Sequence, residues 1–343
     1  MTAKYIVYFL SLFLLLSCSD DETVTEITNP ETSLIELNFT NPPIDLQGAQ
    51  ALYASDIAYD QYDKTKFDVF LPSTTTKTGL VVFIHGGGFT GGDKDFIYTD
   101  NYASEVVRLL NNNIAVATIN YRLLEDGDTE GVLKSLNDSK RAIQYMRYIS
   151  NELNINKEDV VLFGSSAGAS TALWLATNDD LKDINNADAV LQESSRVKGI
   201  ALNATQSSLD IEGRWIGNVF AEFGTTLEDM NQEFGEQRLY NFYGVNTESA
   251  YNTPEVEAYR KQVDMLSFIS SDDPEIWVKN TGGHNNVPTT TSSFNHHPFH
   301  AREIKKFADA NGVKNVTTYG NPILFSSVGD EDFVTFLIRK INE

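Results

Sequence analysis

The sequence predicts an α/β fold: a doubly wound, mostly parallel sheet with helices on both faces and a cap-like insertion. Three observations carry that prediction. Apolar β-branched runs alternate with amphipathic helical patterns along most of the chain, as expected of strands buried on both faces. The composition, 41% hydrophobic and 22% charged over 343 residues, is that of a chain able to bury a large core. Two glycine-rich turns, around His85 and Ser166, each follow an apolar run and precede a helical pattern.

In order, "KFDVFLPS" predicts a strand and "GLVVFIHGGGF" a buried strand entering a glycine turn. "YASEVVRLLNNN" has apolar residues three and four apart, a helix, and "IAVATINYRL" is a strand. "VLKSLNDSKRAIQYMRYISNELN" is a long amphipathic helix, "VVLFG" a strand, "AGASTALWLAT" a helix and "VKGIALNA" a strand. Residues of about 205–270 break the rhythm with Trp215, Phe220, Phe223, Phe234, Tyr240, Phe242, Tyr243 and Tyr251 among many polar residues. Two readings stand for them: a cap lining an acyl or aryl pocket at the sheet's carboxyl edge, or the insertion's own small core. The rhythm resumes with "EIWVKN", the helix "FHAREIKKFADANG", the strand region "VTTYGNPILFSS" and the helix "DFVTFLIRKIN".

At the N-terminus, Lys4 precedes an apolar run too short to span a bilayer, so residues 1–17 are expected to be a secretory signal peptide. Leu15-Leu16-Ser17-Cys18 resembles the lipobox of bacterial lipoproteins, which implies lipidation of Cys18 and export to a membrane surface, the outer membrane or cell surface. Cys18 is the only cysteine, so no disulfide forms within the chain. Residues 18–45 read as a flexible acidic tether and 46–343 as the folded domain. With 26 Lys+Arg against 48 Asp+Glu, the net charge of −22 disfavours a nucleic-acid or anionic-lipid surface.

The two glycine turns carry the chemistry. In His85-Gly86-Gly87-Gly88-Phe89, consecutive glycines let adjacent N–H groups converge on one oxygen, which an oxyanion hole requires. In Gly164-Ser165-Ser166-Ala167-Gly168, small residues allow the sharp strand-to-helix turn that lifts a serine Oγ above a sheet. "HGGGF", "NYRL" and "GSSAG" together resemble the esterase/lipase branch of the α/β-hydrolases, the hormone-sensitive-lipase-like and acetyl-esterase-like enzymes. The resemblance covers about residues 50–343 and is specific from 80 to 205. It implies Ser166 as nucleophile, Gly87, Gly88 and Ala167 as oxyanion donors, and His85 as a loop-shaping residue. Asp138 sits where that family often carries a helix aspartate, and Ser165 departs from the acidic residue common before the nucleophile. No cofactor is implied.

That family places its acid after the seventh strand and its histidine after the eighth, and neither position matches here. The chain holds no histidine beyond residue 300. Asp272 and Asp273 would lie near Ser166 only if "MLSFI" were a strand. A strand at 276–280 is preferred, because two successive parallel strands need a crossover of a dozen or more residues. Asp273 then ends a turn before Pro274. The loop after that strand carries His284, His296, His297 and His300, at the edge where doubly wound sheets bind ligands. Pro298 fits a helix first turn, placing His296 and His297 at a helix N-terminus, where the dipole keeps imidazole neutral. The expectation is a relocated base, from His297, His296 or His284, with Asp330 or Asp332 as a possible acid and His300 as a packing residue. A metal bound by the histidines is the weaker reading, because His-His-Pro lacks helical i,i+4 ligand spacing.

The leading expectation is hydrolysis of a small-molecule or carbohydrate ester. The alternatives are a hydrolase-shaped binding protein lacking its proton relay and an exported serine peptidase.

Overall fold

The computed structural model describes residues 34–285, 287–329 and 331–343. The signal peptide, Cys18 and Asp330 lie outside the described residues. Strands β1 (Phe39–Thr40), β2 (Ala51–Ala58), β3 (Lys66–Pro72), β4 (Thr78–Ile84), β5 (Ile114–Ile119), β6 (Ile155–Ser165), β7 (Gly199–Asn203), β8 (Glu275–Gly283), β9 (Asn315–Asn321) and β10 (Phe325–Ser326) form one sheet. Its order is β1-β2-β3-β5-β4-β6-β7-β8-β9-β10. From β5 through β9 every pairing is parallel, and antiparallel strands extend both ends.

Alternation along β4 shows how the layers are filled. Leu80, Val82 and Ile84 face one core and Val81 and Phe83 the other, the period of two expected of a pleated strand. The second core is closed by α1 (Asp100–Leu110) and α11 (Phe333–Asn342), through Val106, Leu109, Val334, Phe336 and Leu337. The first is covered by α2 (Val132–Tyr148), α3 (Ala167–Thr177) and α10 (Pro298–Asn311). Helix α3 is buried along its whole length, so "AGASTALWLAT" needs no polar face. A fully buried side chain of Leu, Ile or Phe size contributes roughly 1.5–3 kcal/mol, and these two layers hold most of them.

Between β7 and β8 the chain makes a π-helix at Ile211–Val219, then α4 (Leu227–Phe234), α5 (Glu236–Phe242), α6 (Glu248–Tyr251), α7 (Pro254–Gln262) and α8 (Met265–Phe268). "MLSFI" is therefore helical, and β8 is the strand that follows β7 in the sheet. A short helix, α9 (Thr291–Asn295), precedes α10.

The folded unit begins at Leu34 rather than at residue 46. Ile35 and Leu37 pack on the first core, Ile44 is buried, and β1 pairs with β2. Apolar residues that sparse, among Pro and Asn, carry no period that sequence reading detects.

Candidate active site

Strand order reverses at β4: the chain leaves it for β5 on one side and returns to β6 on the other. Crevices at such reversals, outside the carboxyl ends of the strands, are where open α/β sheets hold ligands. Register sharpens the point. Ile84 of β4 pairs with Gly164 of β6, so the glycine loop begins beside the serine turn.

The two turns are interlocked by missing side chains. A Cβ on Gly168 would overlap the carbonyl oxygens of Ile84 and His85, and one on Gly164 would overlap the Gly168 carbonyl. A Cβ on Gly86 would sit 2.9 Å from the Ser165 carbonyl oxygen and 3.1 Å from Ser166 Cβ. Ser166 itself has φ 53 and ψ −120, a strained turn that costs of order 1–3 kcal/mol and persists because its surroundings over-determine it. Its N–H donates to the Asn203 carbonyl at 2.9 Å. The loop is shaped from the other side as well. His85 is buried and stacks on Tyr121 at 4.4 Å, with Nδ1 2.6 Å from the Gly86 carbonyl. Tyr121 Oη donates to the His85 carbonyl at 2.9 Å. Gly87 and Gly88 both have positive φ, 114° and 62°. The Gly87 carbonyl accepts from the N–H groups of Thr90 and Gly91, each at 3.1 Å.

His296 is the histidine that meets the serine. Ser166 Oγ lies 2.8 Å from His296 Nε2. On the far side of the ring, Nδ1 is 3.3 Å from Ser292 Oγ, one turn earlier on α9. Burial alone pushes the His296 imidazole below its usual range, and no carboxylate acts on it among the described residues. With Nδ1 protonated, the ring donates to Ser292 and Nε2 is free to accept from Ser166.

Two amide side chains and a carboxylate hold this arrangement, and none was singled out from sequence. Gln206 accepts from Ser170 Oγ on α3 at 2.7 Å and donates to the Asn295 carbonyl at 2.8 Å, tying the helix behind Ser166 to the residue before His296. Asn280, within β8, bonds both backbone groups of Thr205 and donates to the His297 carbonyl at 3.2 Å. Glu233 of α4 accepts from Thr291 N–H at 2.7 Å and from its hydroxyl at 2.9 Å, joining the insertion to α9.

The other candidates stand elsewhere. His297 caps α10, its Nδ1 accepting from Phe299 N–H at 3.2 Å. It packs against Phe220, Phe223 and Phe299, and burial drives it down to about 4. His300 is fully buried, with Nδ1 accepting from Ser207 N–H and Nε2–H donating to the Phe294 carbonyl; burial lowers it to about 3. His284 makes no hydrogen bond through its buried Nδ1. His296 thus ends α9 rather than opening α10, so burial and not a helix N-terminus keeps it neutral.

Neither described aspartate reaches a histidine. Asp273 precedes β8, at the opposite end of the strand from the loop, and accepts from Ser270 N–H at 2.9 Å; burial pushes it up to about 6. Asp332 caps α11 through Thr335 N–H at 2.7 Å and pairs with Arg108 at 2.8 Å. Against the upward push of partial burial, those partners hold it at about 2. Asp138, almost fully buried, takes both nitrogens of the Arg122 fork and so fixes the end of the "NYRL" segment. Among the described residues, no three His, Cys, Asp or Glu side chains gather to hold a metal.

Ser166 opens onto two spaces. One is a lobe of about 50 Å³ under the insertion, walled by Phe89, Leu209, Ile211, Trp215, Phe234 and Phe242. The other is a cleft of about 540 Å³ toward solvent, lined by the glycine loop, Thr291, Ser292, Asn295 and His296. The insertion's aromatics divide accordingly. Trp215, Phe234 and Phe242 face the lobe, while Phe220, Tyr243 and Tyr251 are buried among themselves and their neighbours.

The BD-FAE family model matches residues 67–212, which include both glycine turns. A truncated carbohydrate esterase from gut microbiota superposes with a TM-score of 0.61 over 86% of this chain and 98% of its own, at 17% identity. The chain has the α/β-hydrolase fold. A second α/β-hydrolase likeness is the butyrate-bound thermophilic esterase of Thermogutta terrifontis, with a TM-score of 0.52 over 88% of this chain and 93% of its own, at 17% identity. A third is the acetyl ester-xyloside bifunctional hydrolase of Caldicellulosiruptor lactoaceticus, at 0.50, 84%, 85% and 17% respectively. No curated protein matches the chain in sequence. The residues matched by the family model stop at 212, so His296, on the loop after β8, lies outside them.

Proposed function

We propose that this α/β-hydrolase is a serine esterase that removes short acyl groups from carbohydrate-like alcohols. The observation that carries the reading is the 2.8 Å contact between Ser166 Oγ and His296 Nε2 at the mouth of both spaces. His296 Nε2 takes the Ser166 proton as Oγ attacks the ester carbonyl. The N–H groups of Gly87, Gly88 and Ala167 receive the oxyanion, aided by the N-terminus of α3. His296 then hands the proton to the departing alcohol, and water repeats the sequence on the acyl-enzyme. Ser292 orients the ring through Nδ1–H. The lobe's size argues for a short acyl group: one water-sized sphere takes roughly 10–15 Å³ on the same measure, so about 50 Å³ suits an acetyl group and not a long chain. The sugar-ester names of two of the superposed proteins agree with a wide cleft, open to solvent, for the alcohol.

The test is p-nitrophenyl acetate hydrolysis by wild type beside Ser166→Ala, His296→Ala, His297→Ala and His284→Ala. Ser166→Ala and His296→Ala are each expected to lose about a thousandfold or more in kcat, the scale of a lost triad member. Comparable loss in His297→Ala with none in His296→Ala overturns the assignment.

One observation favours a second reading. His296 Nδ1 faces a hydroxyl rather than a carboxylate, so a binding protein with an enfeebled relay is the alternative. Labelling with a fluorophosphonate separates them, since only an activated Ser166 reacts at an appreciable rate. Export behind residues 1–17 and lipidation of Cys18 belong to the same proposal. Cys18→Ser is expected to shift the protein from the membrane to the soluble fraction.

A further inference from the structure

Arg238, the third residue of α5, stands over the glycine loop. Its guanidinium Nη2 is 3.1 Å from where a Cβ on Gly88 would lie, and the side chain borders both the apolar lobe and the open cleft. Every other arginine among the described residues is in an ion pair. Arg238 has neither an ion pair nor a hydrogen bond among the described residues; its guanidinium only approaches the Phe234 ring, at 5.9 Å. The absence is not for want of acids. Glu125 and Asp126 line the groove on its other side, Asp126 is engaged by Asn241 at 3.1 Å, and Glu233 is engaged by Thr291. In a chain of net charge −22, an unpaired guanidinium at the one place where substrate must pass is the exception to the pattern.

We propose that Arg238 is a specificity-determining residue that binds a carboxylate on the alcohol part of the substrate, so that the preferred ester is an acylated acidic sugar. The proposal rests on the esterase reading above. Guanidinium presents a planar fork that matches a carboxylate with two parallel hydrogen bonds. The carboxylate belongs to the alcohol and not to the acyl group, because an ionised carboxylate in the small apolar lobe would lose its hydration with no room for compensation. The open cleft, about ten times larger by the volumes given above, admits a sugar ring with its charged substituent still partly in water. No acidic side chain lines the cleft itself: Thr291, Ser292, Asn295 and His296 are neutral when the base is active, and the Glu233 carboxylate behind them is taken up by Thr291 N–H and hydroxyl.

The decisive comparison is kcat/KM for acetylated glucuronic acid over acetylated glucose, in wild type and in Arg238→Gln. Wild type is expected to favour the charged ester by about tenfold or more, the range of a charge-assisted bidentate contact, and Arg238→Gln to bring the ratio close to one. Arg238→Lys should recover part of it, since the charge returns without the fork. A ratio that is the same in wild type and Arg238→Gln overturns the proposal and leaves the esterase reading intact. Binding of glucuronate and of glucose to Ser166→Ala, measured by calorimetry, gives a readout independent of turnover. If wild type cleaves neither ester but glucuronate binding is lost in Ser166→Ala/Arg238→Gln, the esterase reading fails while the anion site stands. If glucuronate binds no better than glucose and neither changes with Arg238, the anion site fails.

Discussion

Ser292 occupies the position from which a carboxylate would ordinarily steady a catalytic imidazole, and it brings a hydroxyl instead. A hydroxyl orients the ring but supplies no charge to the imidazolium that forms. If His296 is the base, as proposed, its working form is neutral; burial lowers its pKa, so activity is expected to be lost only as pH falls through a value below the usual ~6.5 of histidine. The acid limb of kcat/KM against pH is therefore expected below that point. Ser292→Asp would stabilise the protonated ring and move the limb upward by about one unit, whereas Ser292→Ala should lower kcat by about tenfold without moving the limb upward. A limb that stays put in Ser292→Asp would show that Nδ1 does not face residue 292 in solution. At this scale the Ser166 turn was legible, since five small residues between a strand and a helix encode it directly. The histidine that meets Ser166 was legible only as one of three candidates. His296 and His297 are adjacent in sequence but end one helix and begin another, and α9, a single turn, leaves no periodic trace. Gln206 and Asn280 were not legible at all, because an amide that bonds distant backbone groups has no local pattern.

The elements meet most tightly where α3 crosses β4, at Gly168. A methyl group there has only backbone to displace, so Gly168→Ala is expected to cost about 3 kcal/mol, the upper part of the usual overpacking range, read from the midpoint of urea unfolding. α10 brings a different sensitivity. His300 and His297 are buried neutral, at about 3 and about 4, against ~6.5 in the unfolded chain. Below pH 6.5 the unfolded state binds protons that the folded state refuses. The stability these residues contribute is thus complete above that pH and lost as pH falls from 6.5 toward 4 and 3. The urea midpoint should fall between about pH 7 and pH 5, and fall less steeply in His300→Asn. The strands β3 to β9 were readable from continuous apolar runs, and β8 from the length that a parallel crossover needs. β2 was missed because a bulge between Ala54 and Ile57, with Asp56 at φ 56, breaks its alternation. The helices of the insertion were missed because most span two turns or fewer, too short for a 3.6-residue period to declare itself.

For the molecule as a whole, an excess of 22 negative charges works against compaction. Raising sodium chloride from about 10 to 200 mM shortens the screening length from roughly 30 Å to below 10 Å and is expected to raise Tm; a Tm unmoved by salt would mean that the ion pairs already balance the surplus locally. The fold class was legible because it is a property of the alternation of elements along the whole chain, while the two spaces beside Ser166 were not, since they arise only when the insertion closes over the sheet. Those spaces give the proposed reaction a direction of traffic. With the acyl group in the small lobe and the alcohol in the wider, more open cleft, the alcohol is expected to leave first, and the water that frees the acid to come in by the way the alcohol went out.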